Sequence, residues 1–150
     1  MSVNSTGYAV FTDPTMTSIP NHAFYQCSTL MHLIVPDGVT SLGEVAFAFC
    51  HALKSIVLPN SLTSLADNAF VFCTALETIV GGYSLTGLTA GPFADSIITS
   101  IVVPEGATTI PAYLFQGCAK LTAAVAIPDS IATIHASAFQ DCTELTNVSF

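Results

Sequence analysis

Positive charge is scarce in this 150-residue sequence, which contains no arginine and only two lysines, Lys54 and Lys120. Ten acidic residues outnumber these two bases, so the formal net charge is -8 at pH 7. Nucleic-acid binding depends largely on neutralising backbone phosphates with lysine and arginine. The composition therefore argues against a nucleic-acid partner, and the same reasoning argues against binding to anionic membrane surfaces.

Long apolar runs are also missing, although 51% of the residues are hydrophobic and only 8% are charged. No stretch approaches the roughly 18 to 20 consecutive apolar residues that span a bilayer, so membrane insertion is not expected. The first residues, MSVNSTGYAVFTDP, lack the basic and apolar regions of a secretory signal. The length and composition predict one folded domain that is either intracellular or a mature or excised piece.

The sequence does contain a repeat, which is marked most clearly by phenylalanine. Six phenylalanines recur at intervals of 23, 23, 23, 22 and 24 residues: Phe24, Phe47, Phe70, Phe93, Phe115 and Phe139. In five of the six units a cysteine follows three positions later: Cys27, Cys50, Cys73, Cys118 and Cys142. A short β-branched run then ends in proline in four units: Pro36, Pro59, Pro104 and Pro128.

Each unit predicts one coil of a solenoid. The β-branched run is typical of a short strand, and the apolar positions that follow it are too sparse for an amphipathic helix of several turns. Such a unit cannot bury its apolar face alone, so we expect the units to stack, their strands to pair in parallel and equivalent residues to form internal columns. About six coils are expected.

Two neighbouring units depart from the pattern. The third has Gly81 and Gly82 where the strand would end in proline, and the fourth is one residue short and contains Pro92 and Ser96. We therefore predict a local irregularity around residues 80–98.

The motif string, in idealised form Leu-x-x-Ile-x-Ile-Pro-x-x-Val-x-x-Ile-x-x-x-Ala-Phe-x-x-Cys, resembles the BspA-like class of leucine-rich repeats over about residues 16–150. The resemblance implies a right-handed α/β repeat solenoid, with short parallel strands on one face and loops or short helical turns on the other. Residues 1–15 are expected to form a separate N-terminal segment. Tyr8 to Met16 are expected to fold over the first coil as a partial cap, with Tyr8, Val10 and Phe11 covering its core.

The same resemblance carries functional expectations. Proteins of this class are typically surface-exposed or secreted arrays of bacteria and some protists, used for adhesion and protein binding. The resemblance thus implies a non-enzymatic module that binds a protein ligand and needs no cofactor. It also implies an extracellular or cell-surface location, although the sequence contains no recognisable signal peptide.

The residues that could carry chemistry give no competing signature. The cysteines share one repeat position, so we expect buried, reduced thiols in one column, with partial oxidation or metal capture as the alternative. The four histidines occupy four different repeat positions, and no nucleophile motif accompanies them, so neither a metal site nor an active site is predicted. Glu44 and Asp67 align in consecutive units, where they are either solvated or able to attract calcium.

The two lysines each have an acid at the same repeat position one coil away, Glu77 for Lys54 and Glu144 for Lys120. We interpret these as surface ion pairs, which would leave no free basic site.

The predicted strands suggest where a ligand binds. Side chains alternate across a strand, so the middle residue of each run faces outward. These residues form an apolar stripe: Ile34, Val57, Val80, Val102 and Ala126. The next outward position is small and mostly polar: His32, Ser55, Thr78, Ser100 and Ala124. An exposed apolar stripe is typical of a protein-binding surface, although β propensity alone or self-association through the stripe would also account for it.

The C-terminal end suggests a further contact. Thr146 to Phe150 fall inside the sixth expected strand, with no polar cap after them. We expect either a segment of a longer array or pairing of this end with another copy. A structural spacer or self-assembling segment without a dedicated ligand is accordingly the alternative to a protein-binding module.

Overall fold

The computed structural model describes residues 1–66, 68–94, 96–103, 106–122 and 125–149. The strands of this part of the chain are short, two or three residues each, because each coil turns away soon after its β-branched run. In chain order they are β1 (Ser2–Val3), β2 (Ala9–Val10), β3 (Ser18–Ile19), β4 (His32–Ile34), β5 (Ser41–Leu42), β6 (Ser55–Val57), β7 (Ser64–Leu65), β8 (Thr78–Val80), β9 (Ser100–Val102), β10 (Thr109–Ile110), β11 (Val125–Ala126), β12 (Thr133–Ile134) and β13 (Val148–Ser149).

The predicted strand face is present as a column of parallel strands, here called the first array. It contains the four-stranded sheet β4-β6-β8-β9, followed by the pair β11-β13. His32 of β4 lies opposite Ser55 of β6, and Ser55 opposite Thr78 of β8, so neighbouring coils pair one repeat apart. The next step, from Thr78 to Ser100, takes one residue fewer and keeps the pairing in register.

A second array is formed by shorter parallel strands. Its strands β5, β7, β10 and β12 each follow a strand of the first array after a turn. It consists of β3-β5-β7 and, separately, β10-β12. The break between β7 and β10 falls at the fourth coil, where Thr86 still donates its backbone N–H to Thr63 O at 3.0 Å. The irregularity predicted for residues 80–98 is therefore found in this second array, while the first array continues past it.

The rest of each coil is turn, and the described residues contain no helix. The solenoid is confirmed, but the helical component expected for an α/β repeat is wrong. Around Phe47 the reason is the backbone of Val45 and Phe49, whose φ angles are 46° and 59°. Around Phe70 the same places are taken by Asn68 and Phe72, with φ of 65° and 58°. Left-handed residues two positions before and two after Phe47 and Phe70 cannot continue a right-handed helix.

Phenylalanine rings stack through the core of the coils. The ring centroids of Phe24 and Phe47 are 5.2 Å apart and those of Phe47 and Phe70 are 5.1 Å apart, with interplanar angles of 10° and 7°. The stack continues to Phe93 at 5.4 Å and is resumed by Phe115 and Phe139 at 5.6 Å. Leucines and isoleucines of the same coils surround these rings in one continuous apolar cluster.

The N-terminal segment packs on the first coil. Strands β1 and β2 form an antiparallel hairpin, and Tyr8 bridges to His32 in parallel. The rings of Tyr8 and His32 stack with centroids 4.7 Å apart, and Phe11 meets Phe24 edge-on at 5.9 Å. The first strand of the array and the first core phenylalanine are thereby covered on their outer side.

Gly81 stands at the end of β8 because no other residue fits there. Its φ is 94°, and a Cβ at this position would collide with the carbonyl oxygen of Leu58 in the preceding coil. The following chain then directs Tyr83 inward, where its hydroxyl donates to Val102 O at 3.0 Å and its ring lies 6.4 Å from that of Phe115. The irregular third unit thus fills the core of the coils after it.

Replacing Gly81 by alanine should destabilise the protein more than replacing Gly38. Both glycines have positive φ, but a Cβ on Gly38 would meet no atom within 4 Å. Gly38→Ala should lower the free energy of unfolding by about 1 kcal/mol through backbone strain, and Gly81→Ala by about 2 kcal/mol more through the collision. Urea denaturation measures both, and equal losses would contradict the close approach.

The core stack predicts a contrast between two phenylalanines of one coil. Phe70 is 1% exposed and Phe72 is 43% exposed. Phe70→Ala should lower the free energy of unfolding by about 3–5 kcal/mol because it leaves a cavity between two coils. Phe72→Ala, the matched control, should cost less than about 1 kcal/mol. Similar losses of unfolding free energy for the two variants in urea denaturation would show that the stacked rings do not stabilise the core.

Candidate functional site

The first array presents an apolar stripe to solvent. Ile34, Val57, Val80 and Val102 are 53%, 38%, 38% and 63% exposed, and Ala126 is also exposed. The preceding strand residues point the opposite way: Leu33, Ile56 and Ile79 are buried. The alternation of side chains along a strand produces this division, and the in-register pairing of coils turns single residues into a stripe.

A polar column runs beside the stripe on the same face. His32 Nδ1 and Ser55 Oγ lie 2.8 Å apart across β4 and β6. Thr78 and Ser100 continue the column and are exposed, whereas Ala124 lies outside the described residues. The face therefore combines apolar side chains with small hydroxyl groups.

The short fourth unit opens a trough next to this polar column. It has a volume of about 400 Å³ and is lined by Glu77, Thr78, Ile97, Thr99, Ser100, Lys120, Thr122 and Glu144. Lys120 forms an ion pair with Glu144. Lys54 and Glu77 are neighbours in register, since Glu77 N donates to Lys54 O at 3.0 Å, but no ion pair within 4.0 Å joins their side chains. One of the two expected ion pairs is therefore present.

The cysteine column contributes hydrogen bonds between successive coils. From the second coil onward, each cysteine thiol donates to the carbonyl oxygen of the phenylalanine one coil earlier: Cys50 to Phe24 at 3.1 Å and Cys73 to Phe47 at 3.2 Å. Cys142 does the same with Phe115 at 3.1 Å. These carbonyls also accept the backbone N–H three residues on, as Phe24 O does from Cys27. The Phe-x-x-Cys spacing thus joins one coil to the next.

Burial keeps these thiols protonated. It raises the pKa of Cys50, Cys73 and Cys118 from 9.0 to about 12, because the thiolate would lose its hydration. All five cysteines carry free thiols, and Cys27 is the one that is partly exposed.

Comparison with protein families identifies the repeat. The model of the BspA type leucine-rich repeat region, in six copies, matches residues 5–122 and 121–150. The chain belongs to the BspA-type leucine-rich-repeat family. This family and the similar solved structures are leucine-rich repeat proteins, which are generally not enzymes. No curated protein sequence matches the chain.

Three solved structures resemble this BspA-type array. A leucine-rich repeat protein from Bacteroides ovatus is 27% identical with a TM-score of 0.57, over 89% of this chain and 41% of that one. One from Eubacterium ventriosum is 25% identical with a TM-score of 0.62, over 85% and 35%. One from T. pallidum is 28% identical with a TM-score of 0.48, over 87% and 50%. The chain thus spans half or less of each of these proteins.

The other residues considered from the sequence are scattered through the array. Asp67, the expected neighbour of Glu44, lies outside the described residues. The described residues bring no three histidine, cysteine, aspartate or glutamate side chains together where they could hold a metal ion. They also include no helix with the length and apolar character needed to cross a membrane.

Sequence reasoning missed a second exposed apolar group, on the turn side of the BspA-type coils. Tyr25 is 41% exposed and meets Phe49 edge-on with ring centroids 5.7 Å apart. Phe49 in turn lies 5.0 Å from Phe72. The repeat position of Phe49 and Phe72 holds Gln26, Gly117 and Asp141 in other coils, so no periodic signal pointed to aromatic residues there.

The thiols predict a simple reactivity pattern. Iodoacetamide attacks thiolates, so at pH 8 Cys27 should react in the folded protein while the buried cysteines stay unmodified. Mass spectrometry should show one added group in the folded chain and five in denaturant. Burial raises the pKa of Cys50, Cys73 and Cys118 from 9.0 to about 12 in the folded protein, so the free energy of unfolding should fall as pH rises between these values. Rapid modification of Cys73 at pH 8 would contradict its burial.

Proposed function

We propose that the strand face of this BspA-type array binds another protein through the stripe Ile34, Val57, Val80, Val102 and Ala126. The observation that carries the proposal is the continuous exposure of these apolar side chains, of which Ile34 and Val102 are more than half exposed. Exposed apolar groups arranged as one patch are typical of interaction sites, whereas single ones are not.

The backbone beneath the stripe makes it a rigid surface. The strands β4, β6, β8 and β9 are paired with one another through three residues each. A partner would therefore meet side chains whose positions are already set, so little conformational entropy is lost on binding. Adhesion at a cell surface, which the family suggests, is the setting in which we place this binding.

The N-terminal segment fits this function as a partial cap. In the organisation we propose, residues 1–15 cover the first coil and residues 16–150 form the repeat array. The contacts of Tyr8 with His32 and of Phe11 with Phe24 support that division. A hairpin over β4 would protect the first strand edge from pairing with other chains.

Self-association through the same stripe is the second candidate. The stripe is unbroken from β4 to β9, so two copies could cover each other's apolar residues. Light scattering over a concentration series distinguishes the two. A monomer leaves the stripe free for a different protein, whereas a dimer that Val57→Thr with Val102→Thr dissolves would make the stripe an assembly surface.

Peptides selected from a random displayed library test the binding face. We expect the selected peptides to bind the Val57→Thr, Val102→Thr double variant about tenfold more weakly, because two methyl contacts are replaced by hydroxyl groups that must be desolvated. Threonine is well tolerated in strands, so folding should be unchanged.

The matched control is Ile134→Thr, which alters a β-branched residue of similar exposure, 36%, in the second array. This variant should bind the selected peptides as the unmodified chain does. Peptides that bind the double variant and the unmodified chain equally would contradict the proposed face.

A further inference from the structure

The residues that line the trough beside the stripe favour one kind of ligand side chain. Its apolar element is Ile97, which is 40% exposed. Because the fourth unit is one residue short, Ile98 takes the buried place that Leu76 and Leu121 hold in the neighbouring coils. Ile97 then occupies the repeat position of Ala75 and Lys120 in the neighbouring coils. Its aliphatic side chain is therefore exposed at the surface.

The charges of the trough are unequal. Two carboxylates, Glu77 and Glu144, line it together with one ammonium group, that of Lys120. Lys120 is paired with Glu144, one coil further along the stack. Glu77 has no ion pair within 4.0 Å among the described residues, although Lys54 stands one coil before it. One uncompensated carboxylate therefore borders the aliphatic side chain.

Hydroxyl groups complete the lining. Thr78 and Ser100 lie two residues before Val80 and Val102 on the same outward face, and Thr99 is the register neighbour of Glu77. The trough is therefore continuous with the stripe. A side chain that enters it would come from a partner already lying on the strand face.

We propose that the trough receives an arginine side chain of the protein bound on the strand face, with its aliphatic stem over Ile97 and its guanidinium group at Glu77. The inference rests on the proposed function of that face. Arginine combines an apolar stem with a charged head, and its planar group carries five donors, enough for a carboxylate and neighbouring hydroxyl oxygens. The net charge of -8 favours a basic partner over an acidic one.

Short peptides provide the probe. We would titrate the isotope-labelled full chain with acetylated, amidated Leu-Arg-Leu and follow backbone amide shifts by NMR up to about 5 mM, the range of weak anchors. Comparison peptides replace the arginine by citrulline, its neutral analogue, or by glutamate. We expect shifts at Thr78, Ile97, Thr99 and Ser100, with the citrulline peptide binding about two- to fivefold more weakly.

Glu77→Gln should remove the preference for arginine over citrulline, since the two peptides then differ by no ion pair. The matched control Glu44→Gln makes the same charge change at an exposed turn and should keep the preference. Lys54→Gln should not weaken binding of the arginine peptide, because it removes a competing cation. Circular dichroism of each variant checks that the fold is retained.

The outcomes separate this inference from the proposed function. Equal binding of the arginine and citrulline peptides, a preference that survives Glu77→Gln, or no shifts at the trough would each overturn the arginine site. If the peptides still bind and the Val57→Thr, Val102→Thr variant binds them more weakly, the proposed binding face is supported and the arginine site is not. An arginine preference that depends on Glu77 but ignores the double variant would support the trough and count against the stripe.

Discussion

Parallel pairing of each coil with the next, one repeat out of step, is the constraint on which the other features depend. It places equivalent residues of successive units next to each other, so the phenylalanine rings stack at about one strand spacing. The same pairing aligns the cysteine thiols with the phenylalanine carbonyls of the previous coil. A shift of one residue between two coils would move the inward side chains of the strand outward and break all these columns together.

The fourth unit shows how the array accommodates a lost residue. Pairing of β8 with β9 is kept, and Ile98 enters the core where the other units place leucine. The second array is interrupted instead, between β7 and β10. The strand face thus keeps its register through the deletion from β8 to β9, and the visible consequences there are the exposed Ile97 and the trough around it.

The turns explain residue choices that periodicity alone does not. Val45 and Phe49 adopt left-handed backbone although side chains of their size rarely do. Such backbone carries a cost, which the packing of Phe47 between them and the hydrogen bonds to the next coil offset. Phe49, for example, donates its N–H to Val71 O at 2.9 Å. Because the strands and the turns of a coil both form hydrogen bonds with the same neighbouring coil, each coil is bonded to its neighbour on the strand side and on the turn side.

The sequence by itself determined the period, the strands of the first array, the core columns and the outward position of Ile34, Val57, Val80 and Val102, since all of these follow from one repeated pattern and the alternation of a strand. The shorter strands of the second array were not predicted. The sequence left open what happens where the pattern fails. The absence of helix from the described residues depends on left-handed turn residues, and the inward path of Tyr83 depends on space in a coil after its own. The exposed Tyr25 and Phe72 and the half-buried Phe49 between them share no repeated motif. The carboxylate of Glu77 beside Ile97 has no ion pair among the described residues, because the ammonium group of its register neighbour Lys54 lies beyond 4.0 Å. These were decided by tertiary structure, because they are contacts between non-equivalent residues that no single repeat encodes.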